Sequence, residues 1–481
     1  MSLRPDIRLN RSVLRTAIAV AFGNILFGFH ISGISGTVEA LRANFANHLD
    51  LTITGQNILI GFLVSISLLG AVIGSIVAGR LADRFGRKLA MNTAVTLFII
   101  TSIINAFPDF GVLFKIQPVS WIIFSIISFS GSRFISGCAL GIISTIIPLY
   151  ISEISPAKIR GRLVALSQMG VVTGILVAFI INYLIESSGD TKFLYSWGWR
   201  LMFVSEAIPS IITIFLFIRI PESPRYLYNI GQVEEAKRIF SKYLSTSELY
   251  ETLKSLETVS RQSKKGVPLN SYGKRVLFVG LSIAMLQPLT GINAILFYTP
   301  EILKRAVGDI TTAFFQSTLV GLINFITTIV AIFIIERAGR KKFYFNGGIG
   351  MFVCLIIVGF LFFLGASPVL ILGFLFLFII AFAITWGPIT WVMASEIFPS
   401  KISAKALSLG IAGQWLVNYL IAWTFPVIAN SPSLVKTFRY AFPFWLYALL
   451  IIIPTVIVLV FSPETKGKSL EEIEKYWESK N

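Results

Sequence analysis

Apolar residues run through this chain in long blocks separated by short polar segments, and each block is long enough to cross a bilayer. Twelve such stretches, of about 20 residues or more, match the length needed to span a hydrocarbon core of about 30 Å. They fall near 14–37, 56–79, 89–107, 120–149, 161–185, 198–219, 273–303, 312–335, 343–365, 368–394, 404–429 and 440–461. One polar break is longer, about 224 to 271. Ser223 and Pro224 read there as an N-cap followed by proline at the first helical position. Val233, Ala236, Phe240, Tyr243 and Leu244 then share one helical face. Ser245 and Glu248 form a capping box that opens a third helix carrying Leu249, Leu253, Leu256 and Val259. The segment predicts a connector of amphipathic helices packed beneath a membrane domain. Beyond Phe461, Ser469-Leu470-Glu471-Glu472 starts one more short helix. The first apolar stretch continues to Gly36, which predicts a retained span and not a removable leader.

Three charged motifs occur twice. Arg84 to Lys88 matches Arg337 to Lys341 at an offset of 253. Glu153-Ile154-Ser155-Pro156-Ala157-Lys158 returns as Glu396-Ile397-Phe398-Pro399-Ser400-Lys401 at 243, and Pro221-Glu222 returns as Pro463-Glu464 at 242. The longer first offset predicts extra residues near Pro108 to Ser120. Parallel repeats holding equal sets of spans are a building plan of secondary transporters, with the binding site at the repeat interface. The expected fold is therefore an all-α membrane protein of twelve transmembrane helices. Its predicted parts are a six-helix bundle over 1–222, a helical connector over 223–271, a second bundle over 272–462 and a tail over 463–481.

Composition agrees, since 55% hydrophobic residues against 14% charged is too apolar for an ordinary water-soluble protein. The net charge of +17 first raises nucleic acid as a partner, but the basic residues cluster before span 1 and after every even-numbered span. About 32 of the 41 lie on one side, which the positive-inside rule assigns to the cytoplasm. Both termini are then cytoplasmic and the expected location is the cell membrane. No exposed basic and aromatic surface of a nucleic-acid binder is visible. Cys138 and Cys354 both fall inside spans, which predicts buried apolar residues and no disulfide or metal pair. No nucleophile–base pair, metal-ligand cluster or phosphate-cradling glycine loop marks an enzyme or a cofactor site.

In the repeated motifs a glycine allows a tight reversal between antiparallel helices, and the charges stand at the water interface. Asp83, Arg84, Arg87, Glu153 and Arg160, with Glu336, Arg337, Arg340 and Glu396 in the second copy, are either topology markers or a breakable latch. Glu153 with Arg160, and Glu396 with Lys401, place opposite charges at one depth. A pair made in only one state biases a two-state equilibrium by about 1 to 3 kcal/mol.

These residues together resemble the sugar porter family of the major facilitator superfamily over essentially the whole chain. The matching elements are Asp83 to Lys88, Arg133-Phe134-Ile135-Ser136-Gly137, Pro148 to Glu153, Gly198-Trp199-Arg200, Pro221-Glu222-Ser223-Pro224-Arg225, Gln287 with Gly291-Ile292-Asn293, and Pro463-Glu464-Thr465-Lys466-Gly467. The resemblance implies two six-helix bundles, alternating access and a monosaccharide substrate. A sugar needs amide donors and acceptors for its hydroxyls and aromatic rings for its C–H faces. Gln168, Gln287, Asn293, Asn324, Trp386, Gln414, Trp415 and Asn418 supply these from within spans, and Phe27 matches an aromatic lining the family's cavity. Pro288 stands where many relatives carry a second glutamine, and Phe297-Tyr298 where they often carry two tyrosines. A hexose or pentose is expected; inositol is the alternative.

Arg133 lies deep in span 4, where an unpaired arginine costs about 2.5 to 3.5 kcal/mol on insertion scales. Glu206 and His30 are the partners at matching depth. Proton-coupled members of the family typically carry aspartate at the His30 position. Histidine beside Arg133 leaves three readings open: His30 relays a proton, Glu206 titrates in its place, or coupling is lost and the protein is a uniporter. Proton symport is slightly favoured. A nontransporting sugar sensor is the remote alternative, since such members carry long cytoplasmic tails.

Overall fold

A computed structural model of the chain describes residues 11–109, 118–156, 159–262, 268–334, 339–465 and 470–478. Among the described residues twelve helices are long and apolar enough to cross a membrane: Arg11–His48, Ile53–Phe85, Arg87–Ala106, Val119–Ile154, Arg160–Ser187, Thr191–Arg219, Lys274–Val307, Ile310–Ile334, Arg340–Leu364, Pro368–Ala394, Lys405–Ala429 and Phe442–Phe461. These are spans 1 to 12, in two bundles of six. Every predicted stretch is found, and most helices run beyond it. Span 2 continues through Asp83 and Arg84 to Phe85, so the charged motif is the last turn of a helix and not a loop. Only Gly86 separates spans 2 and 3. Its φ of 92° lies in the region that favours glycine. The residues predicted to account for the longer offset lie mostly outside the described ones.

Lipid gives apolar helices no reason to leave it for one another, so close backbone approach has to hold the bundle. Small residues four apart provide it. Gly70 and Gly74 of span 2 meet the backbone of span 4 at Phe134 and Cys138, and Gly137 and Gly141 of span 4 meet Ser67 and Ala71 in return. Gly170 and Gly174 of span 5 pack on Ala21 and Ile25 of span 1.

Two spans of the second half are broken. Span 7 is helical over Lys274–Leu286, tightens into a 3-10 turn over Gln287–Thr290, turns at Gly291 (φ 76°) and resumes at Ile292. Pro288, read as a departure from the family pattern, sits in that turn. A second irregularity falls at Tyr298, two residues before Pro300. Pro300 cannot donate to Leu296 O, and the Thr299 hydroxyl covers that carbonyl together with Ile295 O. Span 10 breaks at Thr385 and restarts at Trp386. Irregular backbone at membrane depth is tolerated where it lines a cavity or is buried in protein.

The connector folds as expected, into helices Pro224–Asn229, Val233–Tyr243 and Thr246–Gln262. The Ser223 side chain caps the first. Glu248 closes the capping box on Ser245 through both its backbone N–H and its hydroxyl. On the second helix Ala236, Phe240 and Tyr243 are buried as predicted, and Ile239 joins them. Cys138 and Cys354 are free thiols in spans 4 and 9.

Candidate functional site

The repeated motifs are built twice in the same geometry, at the end of the bundle that carries most of the basic residues. Glu222 accepts from the backbone N–H of Arg87 and Lys88 at 2.9 and 3.2 Å, so a carboxylate caps the start of span 3. Glu464 does the same for Arg340 and Lys341 at 3.0 and 3.2 Å. Arg87 pairs with Glu153 at 3.1 Å and with Asp83 at 3.2 Å, and Ser223 donates to Glu153 at 2.5 Å. In the second copy Arg340 pairs with Glu396 at 3.4 Å and Thr465 donates to Glu396 at 2.5 Å.

The latch expectation needs correcting in its pairing: Glu153 takes Arg87, not Arg160. Each network closes within its own half. Arg84 is exposed, its guanidinium over its own neighbour Phe85. Glu336 and Arg337 lie outside the described residues, as does the Lys401 side chain.

At the opposite end the two halves are tied to each other, by contacts that no motif marks. Lys304 of span 7 donates to both oxygens of Glu39 in span 1, at 2.7 and 2.8 Å. Arg42 of span 1 bonds Asn57 at 2.8 Å and lies 4.0 Å from Glu301. Glu301 takes Arg305 at 2.7 Å and Asn430 at 3.1 Å. Thr311 donates to Glu186, and the Trp423 indole N–H to Ile58 O. Within the first half, Arg200 forks onto Asp109 at 2.7 and 3.0 Å.

Between these ends the predicted amides gather along the breaks of spans 7 and 10. Gln287, in the 3-10 turn, donates to Trp386 O at 3.1 Å and accepts from Gln414 at 2.6 Å. Asn293 donates to Asn418 at 2.6 Å. Phe27 of span 1 meets Trp415 of span 11 with ring centroids 5.4 Å apart, so an aromatic contact bridges the halves. The Trp415 indole N–H is buried without a partner. Gln168, half-buried, and Asn324, buried, make no protein hydrogen bond among the described residues.

Trp386 differs from expectation. It is wholly buried, its N–H is taken by Tyr344 O at 2.8 Å, and its ring stacks on Tyr344 at 4.0 Å. It supports Gln287 from behind and has no face left for a ligand. Phe297 and Tyr298 are likewise buried, with the Tyr298 hydroxyl on Ala422 O.

His30, Arg133 and Glu206 do come together, in a different order from the one expected. His30 Nδ1 lies 2.8 Å from Glu206 Oε1. Arg133 donates to Ser67 at 3.0 Å and its other terminal nitrogen lies 3.5 Å from His30 Nδ1. His30 therefore stands between Arg133 and Glu206, which do not pair directly. A carboxylate only accepts, so the Nδ1 proton belongs to the Glu206 bond. His30 Nε2 is buried without a partner, beside the edge of Phe98. Ser67 was not singled out from the sequence, because one serine in a serine-containing span carries no distinguishing signal.

A duplicated twelve-helix membrane protein with broken helices around buried amides, and an arginine–histidine–glutamate cluster in the bundle, is a secondary transporter of the major facilitator type. The family described as "Sugar (and other) transporter" matches residues 16–477. The chain is 35% identical to the D-xylose-proton symporter of Escherichia coli K12, over 97% of this chain and 96% of that one. It is 33% identical to the glucose facilitated diffusion protein of Zymomonas mobilis, over 97% and 98%. An inward-open structure of the xylose transporter XylE from E. coli superposes with a TM-score of 0.85 at 33% identity, covering 97% of this chain and 100% of that one. The chain belongs to the sugar transporter family.

Proposed function

We propose that the chain carries a monosaccharide across the cell membrane by alternating access, as a proton symporter. Residues 1–222 and 272–462 would move as the two bundles, joined by 223–271, with the basic end and both termini in the cytoplasm. The observation carrying this reading is the bridge between halves, Phe27 on Trp415, flanked by amides with unused hands. A pyranose fits such a site because its C–H face packs on rings while its hydroxyls take amide donors and acceptors. Gln168 and Asn324, the unused amide oxygens of Asn293 and Gln414, the Asn418 N–H2 and the Trp415 N–H supply them. The relatives point the same way, since their names specify xylose, glucose and protons.

Gln168→Ala and Asn293→Ala each weaken sugar binding by about 1 to 3 kcal/mol, the cost of leaving polar partners unsatisfied. Equilibrium binding of xylose and glucose to purified protein measures this. Wild-type affinity in both variants would mean that the cavity lies elsewhere.

Coupling runs through the His30 cluster. With Glu206 ionised and Arg133 charged, neutral His30 leaves the cluster balanced. A proton on Nε2 places a second cation 3.5 Å from Arg133, and the arginine is driven away, loosening span 4 from span 1. Facilitated diffusion is the second reading, favoured by histidine in place of the family's aspartate and by the Zymomonas relative.

Lys304 with Glu39, and Arg42 with Glu301, hold the outward route closed. Lys304→Ala removes a half-exposed pair worth about 1 kcal/mol or less, so the outward-open population rises by up to about fivefold. A cysteine at Ser35, which lines the space beside Glu39 and Glu301, reports it as faster labelling by an impermeant thiol reagent. Unchanged labelling would leave the closure to Arg42 with Glu301 and to packing.

A further inference from the structure

The duplicated motifs expose one place where the copies differ. In the second half, the space beneath Ile397 is filled by the terminal helix Leu470–Glu478. Its Trp477 is buried and donates to Ile397 O at 3.0 Å. The repeat pairs Ile397 with Ile154. At the matching place in the first half no indole enters among the described residues; beside Glu153 and Ser155 a cavity of about 60 Å3 opens, bounded also by Arg160, Arg225, Glu248 and Glu251. Arg160 begins span 5 and Arg225 belongs to the first connector helix. Their guanidinium groups repel each other. The Nε of each is buried without a hydrogen-bond partner, and neither pairs with a carboxylate among the described residues. The nearby acids are committed elsewhere or exposed. Glu153 takes Arg87 and Ser223, Glu248 takes Ser245, and Glu251 faces solvent.

Two half-buried guanidinium groups face one polar cavity, and no carboxylate among the described residues bonds either of them. We propose that this cavity binds a phosphoryl group, gripped between the forks of Arg160 and Arg225. Guanidinium matches tetrahedral oxyanions through paired N–H bonds, and two forks can share one such group. One water needs about 10 to 15 Å3 of such space, so a cavity of about 60 Å3 has room for several waters and for a phosphoryl head. The head can belong to inorganic phosphate, a phosphate monoester or an anionic lipid. Occupancy would tie the start of span 5 to the connector, as Trp477 ties the tail to the end of span 10.

The test uses full-length protein. In detergent, inorganic phosphate and glycerol 3-phosphate raise the thermal midpoint saturably, and Arg160→Gln or Arg225→Gln weakens the apparent Kd tenfold or more. The lysine variants keep the charge, lose the fork and fall between. Glu251→Gln removes a negative charge from the lining and tightens binding, which keeps the idea testable if the arginine variants fail to fold. In nanodiscs, phosphatidic acid in phosphatidylcholine distinguishes the sources. An Arg160- and Arg225-dependent rise there, with none from soluble phosphate, assigns the site to a lipid headgroup. The proposal is overturned if chloride at equal ionic strength reproduces the rise, if the double arginine variant retains it, or if neither source produces one. It is also overturned if the arginine variants change only the sugar transport rate while phosphate has no effect, which would make the pair a gating contact alone.

Discussion

His30→Asn abolishes accumulation of sugar against its gradient and leaves sugar exchange intact. The asparagine amide can still donate to Glu206 as His30 Nδ1 does at 2.8 Å, so the cluster keeps its shape. It loses Nε2, the buried ring nitrogen with no protein partner and the place where a proton can be added without breaking a bond. Without that proton the charge balance with Arg133 never changes, and sugar alone decides when the bundles rock. Energetic coupling between two ligands needs a state-dependent interaction with each; removing one leaves downhill transport. Proteoliposomes with an imposed inward-directed proton gradient measure accumulation, and counterflow measures exchange. Accumulation that survives in His30→Asn but fails in Glu206→Gln moves the proton to the carboxylate. A wild-type protein that equilibrates sugar and ignores the gradient is a uniporter, and the symport reading falls.

Arg87→Ala costs about 3 to 5 kcal/mol of stability, the usual consequence of stranding one member of a buried ion pair, whereas Arg340→Ala costs about 1 kcal/mol. The residues are repeat partners that each pair with the repeated glutamate, and the two pairs differ in burial. The Glu153 side chain is 7% exposed and 3.1 Å from Arg87. That of Glu396 is 30% exposed and 3.4 Å from Arg340, near enough to water for solvent to replace much of the loss. Thermal midpoints of the two variants in one detergent provide the comparison. Equal losses would show that the repeated hydrogen bonds, and not burial, set the contribution of each network.

Much of the fold was legible because the bilayer imposes a single requirement, and the chain meets it twelve times. The breaks in span 7 could be read from Pro288, Gly291 and Pro300. The break at Thr385 could be read in the same way from Gly387 and Pro388, since Pro388 has no N–H for Ile384 O. Glycine pairs such as Gly137 and Gly141 were visible as spacing, but which helix they meet is decided by tertiary packing. At the site, residue type identified Gln287, Gln414 and Asn293 as a polar set. It could not show that Trp386 spends its N–H on Tyr344, because burial of a tryptophan depends on neighbours far away in the chain. The Glu39–Lys304 and Arg42–Glu301 contacts were hidden for the same reason. Charges near helix ends carry no mark of their partners, and a latch was expected at the basic end, where charge is dense.

The two carboxylate caps have a consequence for how the protein is made. Glu222 and Ser223 complete the first network on Arg87 and Glu153, so everything it requires lies between residues 82 and 223. Chains emerge from the ribosome N-terminus first, and domains generally fold as units. The first bundle can therefore neutralise its buried charges while the second is still being translated, and the nascent half need not wait in the translocon with an unpaired Glu153.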